Sequence, residues 1–152
     1  MTTDTERPKI VVGIDGSPEA DAALRAGYEQ ARQRGGELVI VHAWTFSPLG
    51  PGDDEYGAAE EALADAVDRL LTHVDRDVPI TTRLVDGDAR HVLVSEAKDA
   101  ELVVVGTRGR GRTSTAVLGS VSTYLLHHAP CPVEVVPPSP SVANECVSGA
   151  TS

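Results

Sequence analysis

At 152 residues the chain has the length of one ordinary domain, enough to bury about two-thirds of the surface its unfolded form exposes. Its 23 acidic and 13 basic residues give a net charge of −10, which opposes binding to nucleic acid or to an anionic membrane by the surface as a whole. Aromatic residues make up 3%, so the core falls to Val, Leu, Ile and Ala, and base-stacking platforms and aromatic cages are not expected.

Residues 1–8 are polar and lack the apolar stretch of a signal peptide. No apolar run approaches the ~20 residues that span a bilayer. Cys131 and Cys146 are too few and too isolated for a disulfide framework or a thiolate metal site. The expectation is a cytoplasmic protein with one domain over residues 9–136. A flexible N-terminus, 1–8, and a polar, Ser-rich, disordered tail, 137–152, flank it.

In chain order, KIVVGI at residues 9–14 predicts a buried strand that ends at Asp15-Gly16. Ser17-Pro18-Glu19 supplies a helix start: a capping hydroxyl, a proline at the first helical position and an acid in the first turn. Ala20, Ala23, Leu24, Gly27 and Ala31 then recur at the spacing of one helix face, and Gly35-Gly36 ends it. Residues 38–43 predict the second strand and 47–57 an acidic, Gly- and Pro-rich loop. Ala59, Leu63, Ala66, Val67, Leu70 and Val74 mark a second amphipathic helix. Residues 80–85 predict a third strand, with a third helix capped by Asp88 and turned inward at Ala89, Val92, Leu93 and Ala97. Residues 102–105 and 133–136 supply strands four and five. Strands that are nearly all apolar, alternating with helices, imply a parallel sheet covered by helices on both faces.

Between strand four and the last helix lies GTRGRGRTSTAVLGSVS, residues 106–122, with four glycines, Arg108, Arg110 and Arg112, and no acid. In so acidic a chain this is a local reversal of charge. Glycines let backbone N–H groups approach an anion, and the helix opened by Gly119-Ser120 offers its N-terminal amides and dipole to the same end. The competing reading is a surface crossover with solvated arginines. A Walker A loop is disfavoured, because Gly106-x4-Gly111-Arg112-Thr113 carries Arg where that motif needs Lys. A dinucleotide fingerprint starting at Gly109 and Gly111 would need its third glycine where Ser114 stands. The five histidines show no i, i+4 pair, and no metal site is expected of them.

The spacing Gly106-x2-Gly109-x9-Gly119-Ser120 resembles the ATP-binding pattern of universal stress proteins. So do VVGIDGS at residues 11–17, VHAW ending strand two, and HAPCPVEVV at residues 128–136. The resemblance implies an open, doubly wound sheet of order 3-2-1-4-5, with strands one and four adjacent and a ligand at their C-terminal ends. It implies that Gly13 and Asp15 sit beside the nucleotide, Asp15 near the ribose or a phosphate-bound metal, and that Ala43 lies along adenine. Val105, Gly106, Arg108 and Gly109 would form one side of the ribose and triphosphate cradle, and Gly119, Ser120, Val121 and Ser122 the other. The implied cofactor is ATP, alone or with Mg, and the implied partner a second copy paired through strand 133–136. The local alternative for Asp15 is a turn-forming residue before Gly16.

Micromolar affinity needs about 8 kcal/mol. Exposed arginines supply about 0–1 kcal/mol each and a helix terminus about 0.3–2 kcal/mol, so burial of the adenine must contribute as well. No general base or nucleophile other than Asp15 accompanies the loop. The expected function is an ATP-binding stress-response switch or partner binder with little or no hydrolysis. The alternatives are a dimeric interaction module without nucleotide and a slow ATPase.

Overall fold

The computed structural model describes residues 7–17, 20–45, 55–107 and 119–137. Five strands, β1 (Lys9–Ile14), β2 (Glu37–Trp44), β3 (Ile80–Asp86), β4 (Leu102–Gly106) and β5 (Val133–Val136), form one parallel sheet in the order β3-β2-β1-β4-β5. Its helices are α1 (Ala20–Arg34), α2 (Glu55–Leu71), α3 (Ala89–Glu96) and α4 (Ser120–His128). The expected doubly wound sheet and strand order are both present.

Alternation along the central strands divides the core in two. Ile10, Val12 and Ile14 of β1, Leu38 and Ile40 of β2, and Leu102 and Val104 of β4 pack against α1 and α2. The intervening Val11, Val39, Val41, Val103 and Val105 pack against α3 and α4, with Leu125 fully buried among them. A strand buried on both faces has no polar alternation, which is why β1, β2 and β4 read as continuous apolar runs.

All five positions expected on the inner face of α1 are buried, and Tyr28 joins them. The Tyr28 hydroxyl donates to Asp77 Oδ1 at 2.6 Å and accepts from the Asp77 backbone N–H at 2.8 Å, tying the helix to the turn before β3. Helix α1 ends as anticipated: Gly35 adopts φ +65° and Gly36 N–H returns to Ala31 O at 2.8 Å.

Helix α2 differs from expectation at both ends. It begins at Glu55, inside the segment anticipated as loop, and stops at Leu71. The Thr72 hydroxyl donates to Arg69 O and His73 N–H to Leu70 O, closing the last turn early. Val74 therefore packs on the core from the turn beyond the helix. Cys131 is half-buried beside β5, and burial pushes its thiol up. The expected flexible and disordered ends fall largely on residues 1–6 and 138–152, outside the described residues, as does Cys146.

Asp88 caps α3 as expected, its Oδ1 accepting from Arg90 N–H at 2.8 Å. The Arg90 guanidinium adds two further bonds to the same carboxylate. Side-chain and backbone hydrogen bonds from Arg90 hold Asp88 down at about 2, against 3.8 in the free side chain. Since the folded pKa is the depressed one, this contribution is whole above about pH 4 and fades as pH falls toward 2. Asp88→Ala should cost about 1 kcal/mol at pH 7, the usual value of an N-cap, and leave a weaker acid dependence. Urea midpoints at pH 7 and pH 2.5 check this; an equal loss at both would contradict it.

Candidate functional site

All five strands point the same way, so the C-terminal ends of β1, β2 and β4 share one rim of the sheet. The chain leaves β1 for α1 on one face and β4 for α4 on the other. The sequence order reverses between these neighbours, and a crevice opens there. A cavity of about 350 Å³ occupies the crevice, within the usual range of small-molecule clefts.

Gly13 and Asp15 from β1 and its turn, Ala43 from β2, and Val105 and Gly106 from β4 all line it, with Gly119, Ser120, Val121 and Ser122 at the start of α4. The two ends of the glycine motif, Gly106 and Gly119, thus meet on one cavity although 13 positions separate them. Arg108 and Gly109 lie outside the described residues. Ile14, Ala20, His42, Ala89, Leu93 and Thr107 also line the cavity and were not anticipated. His42 stands opposite Ile14 in the β1–β2 register and is buried. The apolar pattern marked Ala89 and Leu93 for packing alone; no local signal says that this packing faces a cavity.

The N-terminal residues of three helices, Ala20, Ala89 and Ser120, border the cavity. Their dipoles set a locally positive field within an acidic chain. Gly119 takes the N-cap of α4 with φ −71° and ψ 169°, and as a glycine it has no side chain to cap the helix. The first internal bond runs from Thr123 N–H to Gly119 O, so the amides of Ser120, Val121 and Ser122 have no acceptor within the helix. That arrangement suits an anion.

Several of these residues also have structural work. A Cβ on Gly13 would stand 2.6 Å from Leu93 Cδ1, so this glycine makes room for a leucine of α3 that forms part of the cavity wall. Asp15 Oδ1 accepts from the Ser17 hydroxyl at 2.6 Å and the Ser17 amide at 2.9 Å, which fixes the turn over Gly16 at φ +84°. The Ser122 hydroxyl is shared between Gly119 O at 3.1 Å and Thr107 O at 3.3 Å. His127 bonds back to Thr123 O, and His128 stacks on Tyr124 with centroids 4.1 Å apart.

An open parallel sheet whose crevice is edged by a glycine-capped helix defines an α/β protein with a cavity at its switch point. The profile of the Universal stress protein family matches residues 6–137, and the chain belongs to that family. A universal stress protein of Mycobacterium tuberculosis is 38% identical over 136 residues, covering 87% of this chain and 46% of the relative. The chain thus spans about half the length of the curated relatives it matches. A universal stress protein solved in complex with cAMP aligns with TM-score 0.69 and 25% identity, over 88% of this chain and 99% of that one. The universal stress protein of Archaeoglobus fulgidus in complex with dAMP aligns with TM-score 0.64 and 26% identity, over 86% and 97%. Among the described residues, no helix is long and apolar enough to cross a membrane.

Proposed function

We propose that the rim cavity binds an adenine nucleotide, ATP in particular, and that the protein acts as a nucleotide-dependent switch or partner binder with little or no hydrolysis. The observation that carries this reading is the convergence of Gly106 and Gly119 on one cavity, beside the first turn of α4. The neighbours solved with cAMP and dAMP support the adenine half of the reading. The chemistry of the walls fits as well. Ala43, Val105 and Leu93 offer an apolar slot for a base, and the α4 amides offer donors for phosphate. Gly13 and Asp15 complete the β1 side of the site, and Ser120, Val121 and Ser122 the α4 side. Arg108 and Gly109 enter the reading from the motif alone.

Mg fits as a companion of the nucleotide. Asp15 is the carboxylate among the described cavity residues, and Mg²⁺ is commonly held by one or two carboxylates together with substrate phosphates. The engagement of Asp15 Oδ1 by Ser17 favours binding over catalysis, since that oxygen is already held in the turn. Native mass spectrometry of the purified chain incubated with ATP, AMP and cAMP tests the reading. One nucleotide per chain is expected; no adduct at millimolar nucleotide would overturn it.

The sheet order leaves β5 at an edge, with Val133–Val136 each half-buried, and an apolar edge calls for a cover. We propose that a second copy pairs there. Light scattering at micromolar concentration should give twice the chain mass, and a monomer mass would count against the pairing.

A further inference from the structure

The hydroxyl of Ser122, a cavity-lining residue of α4, is engaged by two backbone carbonyls. Ser122 is 2% exposed, and its hydroxyl hydrogen is shared between Gly119 O, three residues back, and Thr107 O, across the neck of the glycine-rich segment. Thr107 O also accepts from Gly119 N–H at 2.6 Å, and Thr107 N–H donates to Val136 O of β5 at 3.0 Å. One carbonyl, that of Thr107, therefore receives two donors from the start of α4, while the same residue is pinned to the edge strand. This clasp holds Thr107 against Gly119.

We infer that Ser122 is a positioning residue: its buried hydroxyl fixes Thr107 against Gly119, and so holds the first turn of α4 at the cavity where its amides can meet a phosphate. This rests on the nucleotide reading of the cavity and assigns Ser122 a role within it other than contact. The physical case is burial. A serine hydroxyl this deeply buried must satisfy its proton within the protein, and both acceptors here are backbone carbonyls, those of Thr107 and Gly119. Removal of the hydroxyl leaves the Gly119 N–H to Thr107 O bond without its second donor, so those two residues part more readily, while the apolar wall formed by Ala43, Val105 and Leu93 stays in place. The phosphate end of the site is therefore affected and the adenine end is not.

The experiment compares Ser122→Ala and Ser122→Thr with the unchanged chain by amide hydrogen exchange without ligand and by calorimetry with ATP and with adenosine. In Ser122→Ala the Gly119 amide should exchange about tenfold faster, with Leu125 and the β1 amides unchanged. ATP affinity should fall about tenfold with adenosine affinity unchanged, and Ser122→Thr, which keeps the hydroxyl, should restore both. An unchanged Gly119 exchange rate would overturn the clasp and return Ser122 to direct contact. Equal losses for ATP and adenosine would reduce its role to general stability and overturn the inference. If the unchanged chain binds neither compound, the nucleotide reading fails and the phosphate-positioning role with it, while Gly119 exchange still decides whether the clasp exists.

Discussion

A Gly119→Val variant is expected to keep the native fold and lose about 100-fold or more in ATP affinity, roughly 2.7 kcal/mol. Gly119 sits at φ −71° and ψ 169°, a conformation any residue adopts, so valine introduces no backbone strain. Its amide can still donate to Thr107 O, because a side chain alters neither group. What changes is space: Gly119 is buried and lines a cavity of about 350 Å³ between β4 and α4. On the nucleotide reading, an isopropyl group on this cavity-lining residue takes space that the phosphates need beside the first turn of α4. Circular dichroism should match the unchanged chain while calorimetry shows the loss. Full affinity in a folded variant would mean that the ligand does not approach this turn.

The second large effect concerns Gly13, whose missing side chain is filled by Leu93. Gly13→Val should cost about 1–3 kcal/mol of stability through overpacking, since a Cβ alone would stand 2.6 Å from Leu93 Cδ1. Leu93→Ala should cost about 2–5 kcal/mol, because Leu93 is 3% exposed and packs with Val11, Val41 and Val105. Combined, the two changes should be less harmful than their sum by more than about 1 kcal/mol, as the new valine enters the space the leucine leaves. Gly13→Val alone should also weaken adenosine binding, because the displaced leucine lines the cavity. Urea titrations of the four proteins decide the matter. Strict additivity would show that residues 13 and 93 do not share the space their geometry assigns them.

Much of the fold is legible in the sequence because its rules are local. The apolar strands, the five inward positions of α1, the cap at Asp88 and the stop at Gly35 follow from periodicity and terminal chemistry, and each has its structural counterpart. The C-terminus of helix α2 is not legible in the apolar pattern, which runs on to Val74, because the bonds of Thr72 and His73 close the last turn before it. The cavity lining is legible where a motif carries it, at Gly106 and Gly119. It was hidden where long-range packing builds it: Leu93 and Ala89 reach the cavity from α3 because of how that helix crosses the sheet. The meaning of Gly13 lay hidden for the same reason. Its neighbours in sequence say nothing of Leu93, 80 positions away.

The central claim is that a base slot and an anion cradle meet in one rim cavity, and calorimetric titration of ATP and of inorganic triphosphate into the same protein tests it most directly. ATP should bind at least about 100-fold more tightly than triphosphate, because a helix terminus alone contributes no more than about 2 kcal/mol of the roughly 8 kcal/mol that micromolar affinity requires. Comparable affinities, or no heat from ATP at all, would contradict it.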